Sequence, residues 1–323
     1  MKPIAWLFLA VLILASGDLL AAQSYPTRPL RMIVPFPPGG AADAIGRVLA
    51  QKLGEAMGQQ VVVDNRAGAS GNIGAETVAK SPADGYTLLL GALTSHAINY
   101  TLERGTLRYD LKRDLDPVSI VGTVPYLLVV HPSVPADSLK ELIVFARAYP
   151  KRLTYASSGA GAPQRLAAEM LKLRANIDML HVPFKGSGPA IVALVGGEVS
   201  TAFESIPATL SHVNGGKLRA LMATTRQRLP MLPAVPTTAE AGLKDFEVSS
   251  AFGVLVPART AWVIVDRMNA ELGTILQLPE VRQRLLDQGT FAAHTSPGVA
   301  RESIEREIAM WAGLVRKANL QSD

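Results

Sequence analysis

Short apolar runs rich in β-branched residues alternate with longer stretches of helical periodicity through most of this chain. Apolar runs of this length predict strands, and apolar positions three and four residues apart predict helices. The predicted strands cover residues 30–36, 60–64, 87–90, 126–131, 153–157, 179–182, 199–203, 218–224 and 252–256. The predicted helices cover residues 43–57, 73–80, 138–149, 164–174, 189–196, 261–276, 280–288 and 297–318.

The alternation of strands and helices predicts an α/β fold with mostly parallel strands. The run 126–130 is apolar throughout, which suits a strand that helices cover on both faces. The sequence contains no internal repeat and no low-complexity tract.

Two apolar strands that end in proline are candidates for crossings between domains. One runs over 124–132 and the other over 249–257. If both connect domains, residues 124–247 form domain II, and the flanks 23–123 and 248–323 together form domain I. Proline-ended strands also occur inside single sheets, so one undivided sheet is the alternative.

The N-terminus resembles a targeting segment. Lys2 precedes an apolar run over 4–15, and Ser16, Gly17 and Asp18 end that run. The run is too short to span a bilayer, which takes about 20 residues of helix. The pattern predicts a secretory signal peptide over 1–22, cut after Ala22 or after Gly17, and therefore export to the periplasm. An uncleaved anchor is the alternative.

Composition excludes several classes of protein. Hydrophobic residues make up 48% and charged residues 18% of the 323 residues, which excludes intrinsic disorder. The chain has no cysteine and five histidines, none of them at metal-ligand spacing, so we expect no metal site and no cofactor. The net charge of +5 comes from scattered Lys and Arg without a basic run. This distribution favours an anionic ligand over nucleic acid.

Loops rich in glycine follow two of the predicted strands. In open α/β sheets, ligands bind beyond the carboxyl ends of the strands. The loop 35–43 contains Gly39 and Gly40, and Asp43 stands where an N-cap belongs. The loop 157–163 combines hydroxyls with glycines directly before a helix. Free backbone N–H groups at helix starts bind anions, although an ordinary capped loop would have the same pattern.

Other strand ends carry single polar candidates. Lys185 could hold an anion or simply be solvated, and Ser95 and His96 could donate to a ligand. Glu204 would repel an anion unless it meets a hydroxyl or an ammonium group. The glycines of 68–74 lack the dinucleotide spacing and predict a structural turn.

Evidence for catalysis is weak. The chain has no Gly-x-Ser-x-Gly element, no candidate triad and no paired-carboxylate motif. Capture of a ligand is therefore favoured over a reaction. A hydrolase that uses Ser157 or Ser158 and the effector domain of a regulator are the alternatives.

Several stretches occur together in an order that is specific even though each is weak alone. They are YPTRP (25–29), IVPFPPGG (33–40) with Asp43, DNRAGA (64–69), GNIG (71–74), DGYTLL (84–89), SHAIN (95–99), VPFKG (182–186) and LPAVPT (232–237). In these residues the chain resembles the receptor family of tripartite tricarboxylate transporters, also called Bug-type solute-binding proteins. The resemblance runs from Tyr25 to about Asn319.

The resemblance implies a fold like the type II periplasmic binding proteins: two α/β domains joined by two crossover strands, with a ligand cleft between them. It also implies a binding protein rather than an enzyme. The expected ligand is a small organic carboxylate or an acidic amino acid. The expected partners are membrane transporter subunits, or alternatively a signalling sensor, and the expected state is a monomer.

The resemblance further implies which residues hold one ligand carboxylate. These belong to the two glycine-rich loops: Phe36, Gly39, Ala41, Asp43, Ser157, Gly159, Gly161 and Ala162. The residues themselves add Gly40, Ser95, Lys185 and Glu204 as candidates. The chain departs from the family pattern at three positions that concern the ligand: Gln164 replaces a usual His, Phe252 a common Trp and Glu204 a frequent Asp.

Overall fold

A computed structural model describes residues 25–103, 105–159 and 161–317. Within them ten strands form one sheet: β1 (Leu30–Val34), β2 (Val61–Asn65), β3 (Thr87–Ala92), β4 (Leu115–Val130), β5 (Thr154–Ser157), β6 (Leu180–Pro183), β7 (Thr201–Ser205), β8 (Arg219–Ala223), β9 (Ser249–Pro257) and β10 (Phe291–Ala292). The predicted signal peptide lies outside the described residues.

Helices connect most of the strands. They are α1 (Ala41–Met57), α2 (Asn72–Ala79), α3 (Leu93–Leu102), α4 (Leu139–Ala148), α5 (Pro163–Ala175), α6 (Ser187–Val195), α7 (Ile206–Asn214), α8 (Trp262–Gln277), α9 (Pro279–Asp287) and α10 (Pro297–Lys317). In the part of the chain that the structure describes, none is both long and apolar enough to cross a bilayer.

The sheet consists of two parallel halves joined through antiparallel strands. Its order is β2-β1-β3-β9-β4-β7-β5-β6, with β8 and β10 paired to β4. Strand β1 pairs in parallel with β2 and β3, and β5 pairs in parallel with β6 and β7. Strand β9 instead pairs antiparallel with both β3 and β4, and β7 pairs antiparallel with β4. We call the half with β1–β3, β9 and β10 domain I, and the half with β5–β8 domain II.

Strand β4 belongs to both domains. Its residues from Leu115 to Pro125 pair with β9, whereas Tyr126 to Val130 pair with β7 and β8. The chain returns from domain II to domain I at β9. This strand begins directly after Val248, and the Val248 carbonyl oxygen accepts a hydrogen bond from Thr224 Oγ1 at 2.5 Å. The two-domain α/β fold with two crossover strands is therefore confirmed.

Each domain has its own apolar core. In domain I, Ile45, Leu49 and Leu53 lie four residues apart on α1 and are fully buried against β1 residues such as Met32 and Val34. This spacing places one apolar stripe of the helix on the sheet. Domain II has a separate core on each face of its sheet, which is why the predicted strand at 126–130 is apolar at every position.

The structure differs from the sequence-based prediction at several elements. Strand β4 begins eleven residues before the predicted 126, because register shifts near Pro117 and Gly122 let the sheet accommodate residues that interrupt an apolar run. The helices α3 and α7 and the short strand β10 were not predicted. Both helices begin directly where a strand ends, so no loop marks their start.

Candidate functional site

A cavity lies between the two domains, beside the crossover strands. The space between atoms amounts to about 450 Å³ when the open solvent at its mouth is included, and the centre of a water molecule can reach about 40 Å³ of it. Its walls come from the loop after β1, the start of α3, the strands β4 and β9, and the starts of α5, α6 and α7. The lining residues are Phe36, Pro37, Gly40, Ala41, Ala42, Ala92, Ser95, Val124, Tyr126, Ser158, Gln164, Ser187, Ser205, Ser250 and Phe252.

Five helices begin at the cavity wall. The helices α1, α3, α5, α6 and α7 each place an N-cap or first-turn residue among the lining residues, and none of the five is capped by a hydrogen bond from its N-cap side chain. The first backbone N–H groups of a helix have no partner within that helix, and the helix dipole is positive at this end. Converging helix starts therefore make the cavity favourable for negative charge.

Hydroxyl groups supply most of the side-chain polarity of the cavity. Tyr126 of β4 and Ser250 of β9 come from the two crossover strands, and their hydroxyl oxygens lie 2.5 Å apart. Ser205 at the end of β7 is only 4% exposed, and its Oγ has no hydrogen-bond partner. A buried hydroxyl without a partner is costly, and a ligand in the cavity would supply the missing partner.

Glu204 lies behind the cavity wall rather than in it. Its side chain is fully buried and accepts from Ser205 N–H at 3.0 Å and from Gln164 Nε2 at 3.4 Å. Burial raises the pKa of Glu204 to about 7, and the neighbouring polar groups of Ser205, Ser187 and Gln164 offset this only in part. Glu204 is therefore connected to the cavity wall through Gln164, which lines it.

Four of the predicted site residues line the cavity: Phe36, Gly40, Ala41 and Ser95. Gly39 lies next to them but is exposed. Asp43 is the third residue of α1 and not its N-cap, which is Gly40. Its carboxylate accepts from Gly39 N–H, from Asn65 and from Arg47, so it fixes the loop.

The loop after β5 lies at the boundary between domains. The Ser157 hydroxyl lies 2.7 Å from His181 Nε2 and does not line the cavity. Ala162 is the N-cap of α5, and its neighbour Gln164 reaches the cavity in its place. Lys185 is exposed and lines a separate, outer cleft together with Gly159.

Glycines of domain II face domain I closely across this boundary. A Cβ atom at Gly161 would overlap Asn99 Oδ1 of α3, and one at Gly159 would overlap Ser70 Oγ. A Cβ at Gly186 would come within 2.6 Å of Pro37. The domains approach this closely only because these positions carry no side chain.

Some residues of the cavity were missed as candidates. Tyr126, Ser187, Ser205 and Ser250 were not singled out, and Ser158 was considered only as a hydroxyl of the loop 157–163 and as a nucleophile. His96, considered beside Ser95, is fully buried, with Nδ1 3.4 Å from the Tyr109 hydroxyl, and burial lowers its pKa to about 4. The position of Ser205 directly after Glu204, at the carboxyl end of a strand, was the signal that could have identified it.

The charged groups of the described residues suit neither a metal nor a strong ion pair here. No cluster of three or more His, Asp or Glu that could hold a metal ion occurs among them. The described lining residues also include no Arg or Lys. An anion in this cavity would therefore be bound by backbone N–H groups and hydroxyls.

Comparison with known proteins identifies the family. A family model described as "Tripartite tricarboxylate transporter family receptor" matches residues 45–320. The chain belongs to this receptor family. Protein BugT of Bordetella pertussis is 42% identical over 299 residues, covering 92% of this chain and 91% of BugT. Receptors of this family are periplasmic solute-binding proteins and not enzymes, so the hydrolase alternative is excluded.

Solved structures of similar proteins share the fold over nearly the whole described chain. Rpa4515 of R. palustris, solved with adipate, has a TM-score of 0.89 at 37% identity and covers 93% of this chain and 100% of its own. MatC from Rhodopseudomonas palustris with bound malate has a TM-score of 0.84 at 31% identity and covers 90% of this chain and 100% of its own.

Proposed function

We propose that this protein is a periplasmic receptor that captures a small organic carboxylate in the cavity between its domains. The observation that carries the proposal is the convergence of five uncapped helix starts on one cavity with buried hydroxyls. Backbone N–H groups and hydroxyls bind a carboxylate through charge-assisted hydrogen bonds, each contributing roughly 1.5–3 kcal/mol. The similar proteins solved with adipate and malate support this ligand class.

The receptor releases its ligand to the membrane subunits of a tripartite tricarboxylate-type transporter. The family match supports this partnership. We infer that the mature protein acts as a monomer after loss of residues 1–22, with domain I formed by 23–123 and 248–323 and domain II by 124–247. The change of pairing partners within β4 and the start of β9 support these domain bounds.

A ligand panel tests the proposed function. Purified protein is titrated calorimetrically with propionate, adipate, malate, citrate and aspartate, and its thermal unfolding is followed with each. A ligand at a hundredfold over its Kd should raise the free energy of unfolding by about 2.7 kcal/mol. The absence of binding by all five compounds would overturn the proposal.

A pair of substitutions on α1 places the site. Ala41→Asp puts a carboxylate on the cavity wall, where it should compete with an anionic ligand and abolish binding. Ala56→Asp adds the same charge to the exposed side of the same helix and should leave the affinity unchanged. Circular dichroism of both variants checks that they are folded. Full binding by folded Ala41→Asp protein would place the carboxylate elsewhere.

A further inference from the structure

The space inside the cavity is too small for all but the smallest organic acids. The centre of a water molecule can reach about 40 Å³ of it. One water needs roughly 10–15 Å³ measured in this way, so the cavity holds about three waters. This is room for one carboxylate group and little of the carbon chain that carries it. The remainder of a larger ligand therefore has to lie outside the cavity.

The outer cleft that contains Lys185 adjoins the cavity. Phe36 and Ser158 line both spaces. Water centres can reach about 540 Å³ of the outer cleft, far more than of the cavity. Its walls come from both domains, with residues 68–71, Glu103 and Thr106 from domain I and Gly159 and residues 183–185 from domain II. A ligand that begins in the cavity can therefore extend between the domains into this cleft.

Apolar groups flank the passage from the cavity into the outer cleft. The half-buried side chain of Phe36 lies between the two spaces. Its ring rests on the backbone of Gly71, where a Cβ atom would lie 3.1 Å from Phe36 Cζ. Pro183 and Phe184 of domain II line the same cleft. A chain of methylene groups suits such a passage, because it leaves water there without burying a polar group.

The outer cleft, unlike the cavity, contains a cation. Lys185 lies between β6 and α6, and it is the single cationic residue among the described residues that line the cleft. The other charged group is Glu103, directly after α3, to which Asn72 Nδ2 donates at 3.0 Å. An anionic group in the cleft is therefore attracted by Lys185, whereas a cationic group would be attracted by Glu103.

We propose, on the basis of the proposed function, that the ligand is a dicarboxylate and that Lys185 is a specificity-determining residue. One carboxylate lies in the cavity, the carbon chain passes Phe36, and the second carboxylate pairs with Lys185 Nζ in the outer cleft. Lys185 is exposed, and an exposed ion pair changes a Kd by about 1.5- to 5-fold. The cavity therefore supplies most of the affinity, and Lys185 selects the far end of the ligand. The flexible stem of a lysine lets it serve ligands of more than one length.

Three ligands with the same carbon chain and different far ends test this proposal by calorimetry. At about pH 7.5 adipate ends in a second carboxylate, monomethyl adipate in a neutral ester and 6-aminohexanoate in an ammonium group. Adipate can enter by either end, which alone gives about a twofold lower Kd than the ester. Wild-type protein should prefer adipate by a further factor of about 1.5 to 5, and should bind 6-aminohexanoate most weakly. Added salt should reduce this further factor, because it screens exposed charges.

Variants identify the group that contacts the far end. Lys185→Met removes the charge and keeps an unbranched stem, so the further factor should vanish while the Kd of the ester stays unchanged. Lys185→Glu should bind 6-aminohexanoate more tightly than adipate. Lys217→Met is the matched control, because Lys217 is also an exposed lysine of domain II but lines neither the cavity nor the outer cleft. This control changes the net charge equally and should keep the wild-type preference.

The outcomes are distinct. A wild-type preference no larger than the statistical one, or a preference that Lys185→Met keeps or Lys217→Met also loses, overturns the role of Lys185. Tighter binding of 6-aminohexanoate than of adipate by wild-type protein overturns it as well, because the far end would then meet Glu103. If propionate or malate binds and none of these three does, the ligand does not extend past the cavity, which overturns the inference and leaves the proposed function intact. Binding of no compound in either set overturns the proposed function itself.

Discussion

Ser205 is the residue whose substitution tests the cavity most directly. Its Oγ is buried and unpaired in the structure, so Ser205→Ala removes no internal hydrogen bond. We expect a Kd raised about 2- to 10-fold, which corresponds to one hydrogen bond of roughly 0.5–1.5 kcal/mol, and no loss of thermal stability. Calorimetric titration and thermal unfolding measure the two effects.

Ser157→Ala is the matched control at another buried serine. The Ser157 hydroxyl bonds His181 and lies outside the cavity wall, so its loss should lower the stability by about 1 kcal/mol and leave the Kd unchanged. If Ser205→Ala lowers the stability and only Ser157→Ala lowers the affinity, the hydroxyl that binds the ligand is that of Ser157 and not that of Ser205.

Glu204 also predicts how the stability of the ligand-free protein depends on pH. The native pKa of about 7 lies above the ordinary value of 4.5, so the folded chain holds this proton more tightly than the unfolded chain. The free energy of unfolding should therefore fall as the pH rises from about 4.5 to about 7, by at most about 3 kcal/mol from this group. Urea unfolding of wild-type and Glu204→Gln proteins across this range measures the difference. Parallel curves for the two proteins would contradict the prediction.

At the scale of residues, the sequence identified groups on loops better than groups on strands. Phe36, Gly40 and Ser95 follow strand ends, where the rule for α/β sheets directs attention. Tyr126 and Ser250 lie within apolar crossover strands, and the apolar pattern of a strand does not indicate which of its residues line a cavity. Ser205 stands out as a site residue only because its buried hydroxyl has no hydrogen-bond partner, and this can be seen only in the structure.

The packing of the loop before α5 predicts how the approach of the two domains depends on Gly161. Gly161 has no left-handed backbone angle, so alanine is tolerated locally, but its Cβ would overlap Asn99 Oδ1. Gly161→Ala should therefore hold the domains apart and raise the Kd by more than about tenfold. Calorimetry and solution scattering with ligand measure both effects.

Two further variants show whether the overlap with Asn99 is the cause. Gly298→Ala is the control, because a Cβ there meets nothing within 4 Å. The double variant Gly161→Ala with Asn99→Ala removes the overlapping group and should recover affinity relative to Gly161→Ala. A double variant that binds no better would mean that Gly161 contacts the ligand directly.

At the scale of elements, the sequence predicted most helices and the strands of the parallel halves, because their periodic apolar positions dominate. It missed α3, whose residues include Thr94, Ser95, His96 and Asn99. These polar side chains are buried by tertiary packing against other parts of the chain, so local periodicity could not reveal the helix. The first part of β4 was missed because Pro117 and Gly122 interrupt it.

For the whole molecule, the contacts between domains predict a change of size on binding. The domains touch at Gly161 and Asn99, and Trp311 of α10 packs with Ile98 of domain I and Leu166 of domain II. Ligand in the cavity should favour contact between the domains, so the radius of gyration should fall when the best-binding probe of the panel saturates the protein. Small-angle scattering with and without that probe measures it. An identical radius in both states would contradict closure on binding.

The path of the chain through β4 and β9 also fixes the order in which the protein can be completed during synthesis. Strand β9 separates β3 from β4 in the sheet, yet it follows all of β5–β8 in the sequence. The nascent chain therefore offers a complete set of domain II strands before domain I has its central one. Long separations between pairing strands slow folding. A chain that ends before residue 249 lacks β9, so the cavity cannot form until this strand, which supplies Ser250 and Phe252 of the wall, has been made.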